Sequence, residues 1–118
     1  MPTPRKNYDK LALALHKKLK GKLTVQSKGK LKTKDDWSTM YSPGVGAVSA
    51  HLAKKPQDAR NYTVKRNSVA VVSDGSAVLG LGNVGAVAAL PVMEGKAMLF
   101  RSFADINAFP ICLATKDV

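Results

Sequence analysis

Apolar residues in this chain are grouped rather than scattered, and the grouping changes period along the sequence. Residues 1–7 are polar with two prolines and predict an arm or a disordered lead-in. From Tyr8 onward Leu11, Leu13, Leu15 and Leu19, with Ala12 and Ala14 among them, follow helical spacing only in part. Ala, Leu and Lys are good helix formers and Gly21 is a natural stop, so a helix over about 8–20 is predicted. Its apolar stripe needs cover from another element or a second subunit. Lys22–Lys34 alternates lysines with other residues around Gly29, which suits an extended or hairpin segment with one wet face.

Asp35 and Asp36 stand where they would cap a short helical turn. Tyr41-Ser42-Pro43-Gly44-Val45 follows, with Pro43 fixing its own φ and Gly44 freeing the backbone for a tight turn. A helix over Val45–Lys54 and a short one near Gln57–Tyr62 are predicted next, separated by Pro56. Ser68–Val72 is the clearest strand, being β-branched and closed by Ser73-Asp74-Gly75. Ala77–Leu79 predicts a short return strand, Ala86–Phe103 a helix that Pro91 kinks or gives an irregular first turn, and Ala108–Leu113 a last strand. The fold class expected is α/β, a small mixed sheet flanked by helices with a helical N-terminal arm.

At 118 residues the chain has room for one domain with a modest core. The apolar share of 45% is ordinary, but Ala and Val supply most of it, so stability leans toward a partner. The formal charge of +11 raises nucleic acid or an anionic membrane as a partner. Its distribution argues otherwise: residues 1–40 carry 11 Lys+Arg against 3 Asp, and residues 41–118 carry 8 against 5 acids. The excess belongs to the arm, whose Lys22–Lys34 segment lacks the aromatic rings that stack bases. No nucleic-acid partner is expected. No apolar run reaches the roughly 18–20 residues of a membrane span, so a soluble chain is expected. The single cysteine, Cys112, cannot close an internal disulfide and lies in an apolar run, where it reads as a packed small hydrophobe. A cytoplasmic protein follows. His16 and His51 have no acid or cysteine at ligand spacing and are assigned to no metal.

Gly80, Gly82 and Gly85 satisfy G-x-G-x-x-G between a strand and a helix, as a dinucleotide fingerprint does. Two features oppose that reading. Asp105, at about the distance of the ribose-binding acid, precedes the next predicted strand rather than following it, and too little chain is left for several parallel strands. The alternative is a glycine turn that packs a helix close to a strand.

Four blocks taken in order, Tyr41–Val45, Val71–Gly75, Val78–Gly85 and Pro91–Lys96, resemble the N-terminal domain of malic enzymes of the small bacterial and archaeal type. The resemblance runs from about Leu11 to Lys116. It implies oxidative decarboxylation of L-malate to pyruvate and CO₂ with NAD or NADP and Mg²⁺ or Mn²⁺. It implies Lys96 as the general base and Tyr41 as the acid that protonates C3, and it makes Gly80–Gly85 a structural turn beside the cleft. It places the metal-binding acids and the nucleotide domain beyond Val118, so this chain by itself is expected to hold no cofactor or metal and to be inactive. A rival reading is a catalytically silent dimerisation or binding module derived from the same family. The sequence departs from the family at Ala77, where the larger eukaryotic branch has a carboxylate-binding arginine, and at Asp105 and Asn107, which replace the usual Gly and Asp.

Residues 1–40 are thus expected to form a basic dimerisation arm, and residues 41–118 the substrate-side domain. Because small-type malic enzymes are dimers, a homodimer joined through that arm is expected. Light scattering at micromolar concentration should report a dimer; a monomer there would overturn the arm's assigned role.

Overall fold

The computed structural model describes residues 7–115 and 117, so most of the expected lead-in, residues 1–6, lies outside the described residues. The chain divides into two compact units, one built from residues up to Leu23 and from Ala70 onward, the other from Thr24–Val69.

The first unit contains α1 (Tyr8–Leu19), most of β1 (Ser68–Ser73), α5 (Gly85–Ala104) and β2 (Asn107–Cys112). The two strands form a parallel two-stranded sheet, and α5 is the crossover that parallel pairing requires. The expected return strand over Ala77–Leu79 does not form. Val78 instead makes an isolated antiparallel bridge with Gly82, with 2.7 Å hydrogen bonds in both directions. Gly80 and Gly82 both take positive φ, so the chain reverses on itself within four residues and cannot run back along β1.

Helix α5 is a single element through Pro91, one residue longer at each end than the sequence suggests. Its buried residues are Ala89, Met93 and Ala97, spaced i, i+4, i+8 on one face. Two of the three are alanine, which lets the helix lie close against β2, its main packing partner. With Val78 they complete the buried apolar core of the described residues. Other apolar residues of α5 are exposed, Val87 by 88% and Phe103 by 84%.

The end of α5 explains two departures from the family pattern. Asp105 adopts the left-handed conformation (φ 54) in which a glycine is usual, and its N–H returns to the Arg101 carbonyl. Arg101 then pairs with the Asp105 carboxylate at 3.1 Å and donates to Asn107 Oδ1 at 3.3 Å. Asp is among the residues that tolerate this conformation best, so the turn survives the exchange.

Gly75 carries the tightest backbone approach in the unit. It has φ +74, its carbonyl accepts from the N–H groups of Val84 and Gly85, and a Cβ there would collide with the Gly85 carbonyl. Helix α1 is capped by Asn7, whose side chain accepts from Lys10 N–H at 3.1 Å, and ends at left-handed Lys20 and Gly21. No residue of α1 is buried.

The second unit holds α2 (Lys34–Met40), α3 (Val45–Lys54), a 3₁₀ turn (Pro56–Asp58), α4 (Ala59–Tyr62) and a second 3₁₀ turn (Val64–Asn67). The extended or hairpin segment expected over Lys22–Lys34 is absent, and residues 24–33 are irregular. Lysine at alternate positions supplies repulsion rather than an apolar face on which two strands could pair. The cap of α2 is Thr33, not Asp35: Thr33 Oγ1 accepts from Asp36 N–H, and the Asp36 carboxylate accepts from Thr33 N–H, each at 3.1 Å. Lys32 N–H adds a third bond to that carboxylate at 3.1 Å. The two backbone donors, Thr33 first, hold the Asp36 carboxyl below its ordinary range. His51 on α3 bonds Asp58 at 2.8 Å and meets the Tyr62 ring at 4.9 Å, tying α3 to the turns that follow.

Gly75→Ala combines left-handed strain with overpacking and should destabilise the fold by about 2–4 kcal/mol. Gly95 sits inside α5, where an added Cβ makes only ordinary contact with Lys22, so Gly95→Ala should stabilise by about 0.5–1 kcal/mol. Thermal denaturation of both variants checks the opposite signs. The lowered Asp36 pKa means the cap contributes stability above the ordinary aspartate range and loses it as the pH falls through the folded-state value. A carbon-detected NMR titration should place the Asp36 midpoint below that of an unstructured aspartyl peptide; equal midpoints would show that the cap does not hold the charge.

Candidate functional site

Tyr41 is the residue that ends α2, its N–H bonded to the Trp37 carbonyl at 2.9 Å. Its own carbonyl accepts from Val45 N–H at 2.6 Å, at the first turn of α3. Between them Ser42–Pro43 is a cis peptide, and Gly44 N–H donates to the Ser38 carbonyl at 2.7 Å. Gly44 has ordinary helical angles (φ −56, ψ −39), so conformational freedom is not why glycine stands there. A Cβ would come within 2.6 Å of the Ser38 carbonyl oxygen and 2.7 Å of that of Thr39. The glycine lets α3 start directly against the end of α2, and this junction positions Tyr41. The phenol itself is 65% exposed.

Lys96 belongs to the first unit. On α5 it lies three residues after Met93 and seven after Ala89, on the shoulder of the buried stripe. Its side chain is exposed. Met93 and Ala97 fix the helix beneath it, but they do not bury the amine, and Met98 is itself 43% exposed. Their packing therefore supplies no desolvating pocket for the amine.

The residues just before Lys96 make a contact that sequence reasoning missed. Glu94, the sole glutamate of the chain, accepts the Lys22 N–H at 3.1 Å in a part-buried position. Lys22 Nζ lies 2.7 Å from His16 Nε2, while His16 Nδ1 donates to the Ala12 carbonyl at 2.7 Å. With the proton on Nδ1, Nε2 accepts from the ammonium. The segment after α1 is thereby tied to α5 two residues before Lys96. A lone glutamate in so cationic a chain was the available hint; the separation of 72 positions between partners hid the answer.

The glycine-rich loop is a turn, as the second sequence reading had it, although the close approach is made by Gly75 against Gly85. A Cβ on Gly80, Gly82 or Gly85 would meet nothing within 4 Å. Those three are held to glycine by positive φ alone. Among the described residues there is no group of three His, Cys, Asp or Glu side chains that could cage a metal. His51 does have an acid beside it, Asp58, contrary to the spacing argument, but no third ligand joins them. No helix of the described residues is long and apolar enough to cross a membrane.

Comparison with known proteins is consistent in outcome. The family model described as malic enzyme, N-terminal domain, matches residues 20–117. An NAD-dependent malic enzyme of Geobacillus stearothermophilus is 60% identical over 97 residues, which are 82% of this chain and 20% of the relative. A bifunctional malic/malolactic enzyme of Bacillus subtilis is 54% identical over 107 residues, 91% of this chain and 26% of the relative. Among solved structures, the NAD-dependent malic enzyme of Thermotoga maritima superposes with a TM-score of 0.86 at 52% identity, covering 90% of this chain and 28% of that one. The malic enzyme of Pyrococcus horikoshii gives 0.89 at 43% identity, covering 93% and 26%. The chain therefore spans between a fifth and somewhat over a quarter of the length of these relatives. With four-fifths of its residues inside the family match and its fold reproduced in those structures, the chain belongs to the malic enzyme N-terminal domain family.

Proposed function

We propose that this chain is the substrate-side part of a malic enzyme, in which Lys96 acts as general base and Tyr41 as general acid. L-Malate becomes pyruvate in three linked events. The amine of Lys96 takes the C2 hydroxyl proton while C2 gives up a hydride, leaving a ketone. The C3–C4 bond then breaks, CO₂ leaves, and its bonding electrons form an enolate over C3, C2 and oxygen. The phenol of Tyr41 delivers a proton to C3.

The observation that carries this reading is the family match over residues 20–117, with Tyr41-Ser42-Pro43-Gly44-Val45 and Glu94-Gly95-Lys96 inside it. The local geometry supports it: both residues are exposed, Tyr41 at the backbone-bonded corner between α2 and α3 and Lys96 on the shoulder of the buried stripe of α5. An amine serves as base at neutral pH only when its environment favours the neutral form. For the exposed Lys96, closure of substrate and further chain over it supplies that environment. In a whole enzyme, bound NAD or NADP would supply the hydride acceptor and Mg²⁺ or Mn²⁺ would supply Lewis-acid assistance; the described residues present no cage for the metal.

On this reading residues 1–40 form a homodimerisation arm, residues 41–118 carry the substrate-side chemistry, and the protein works in the cytoplasm. The uncovered apolar face of α1 supports the arm, and it equally favours the rival of a silent dimerisation module. Joining this chain to the C-terminal portion of the Geobacillus stearothermophilus relative separates the two. The chimaera should oxidise malate, Lys96→Ala should lower kcat/KM by about 10²–10⁴-fold, and Tyr41→Phe by a similar factor. Full activity in the Lys96→Ala chimaera would reject the assignment, and an inactive but folded dimer would favour the silent module.

A further inference from the structure

The second unit contains an open surface depression of about 640 Å³, its six lining residues all exposed, that none of the proposed chemistry uses. Its lining is Lys28 from the irregular segment, Gln57, Arg60 and Asn61 from the first 3₁₀ turn and α4, and Arg66 and Asn67 from the second 3₁₀ turn. Three of the six are cations, three are amides, and none is a carboxylate or an aromatic ring. The ion pairs His51–Asp58 and Arg101–Asp105 lie elsewhere.

Two bonds fix the guanidinium groups in place. Arg60 Nη2 donates to the Arg66 carbonyl at 3.3 Å, and Arg66 Nη1 donates to Asn61 Oδ1 at 3.3 Å. A guanidinium has five N–H donors, so each keeps most of its fork for another acceptor. Three like charges around one depression repel, and an anion entering between them relieves that repulsion while accepting charge-assisted hydrogen bonds.

From this arrangement we propose a binding site for a compact phosphate polyanion, two or more phosphate groups on a small polar carrier. The charge count favours phosphate. A diphosphate or triphosphate brings three or more negative charges to meet Lys28, Arg60 and Arg66, whereas a dicarboxylate brings two. Planar guanidinium forks match phosphate oxygens two at a time, and the amides of Gln57 and Asn61 add neutral donors for the rest. The depression is wide enough for more than a lone phosphate and open to solvent, and its polar lining suits a hydrophilic carrier. Single-stranded nucleic acid is the poorer occupant, because no ring lines the depression to stack a base.

Isothermal titration of the 118-residue chain with inorganic triphosphate, at about 0.15 M salt to suppress long-range attraction, tests the site. One saturable equivalent should bind, and succinate should bind at least about tenfold more weakly. Arg60→Gln and Arg66→Gln should each weaken triphosphate by about tenfold or more, as loss of a charged hydrogen-bonding partner does. Lys28→Gln, in a segment without regular structure, should weaken it too without touching the guanidinium contacts that order the turns. A Lys10→Gln/Lys17→Gln variant removes two charges from α1 and should change affinity by no more than about twofold. The proposal is overturned if triphosphate does not saturate, if the α1 variant loses as much as the lining variants, if succinate binds as well, or if an oligouridylate displaces triphosphate at equal phosphate concentration.

Discussion

The first unit rests on one contact, the stripe Ala89–Met93–Ala97 of α5 laid against β2. Two strands alone make a marginal sheet, and only a helix packed across them gives the pair an inside. Alanine at two of the three contact positions sets the spacing, and Gly75 extends the same closeness to the start of the helix by meeting the Gly85 carbonyl without a side chain. Lys96 inherits its position from this packing, since it stands on the shoulder of the buried stripe. The second unit repeats the device on a smaller scale: Gly44 lets α3 begin against the last carbonyls of α2, and Tyr41 is the residue at that corner.

The charge of the chain is not one undifferentiated basic field. One lysine of the arm, Lys22, is drawn into a part-buried contact with His16 and, through its backbone, with Glu94. Arg101 is occupied in holding the turn after α5. Lys28, Arg60 and Arg66 converge on a depression without a carboxylate. Cations that look alike in the sequence are thus divided among bracing a helix junction, securing a left-handed turn and lining an anion-sized space. Coulomb energy depends on neighbours and their solvation, which a linear count does not contain.

Much of the fold was legible because it depends on short-range rules. The β-branched run at Ser68–Val72, the helix formers after Tyr8 and the small-residue run after Gly85 each became the predicted element, with bounds shifted by a residue or two. The family blocks were legible because they are local words, Tyr41–Val45 and Pro91–Lys96 among them, and they led to the family that residues 20–117 match. Thr33 with Asp36 is a capping box readable in the sequence, yet the more conspicuous Asp35-Asp36 pair drew attention away from it.

The sequence by itself determined the helices after Tyr8, Gly44 and Val84 and the strands at Ser68 and near Ala108, where Lys96 and Tyr41 stand, and which family the chain belongs to, because propensity, capping and motif act over a few residues. Only the tertiary structure decided that Ala77–Leu79 is not a strand, that residues 24–33 are irregular, that Gly44 and Gly75 are glycines for want of space, and that three cations share one depression. Each of these depends on what a distant part of the chain places opposite a residue. Lys22 and Glu94, 72 positions apart and bonded at 3.1 Å, show why no local pattern carries that information.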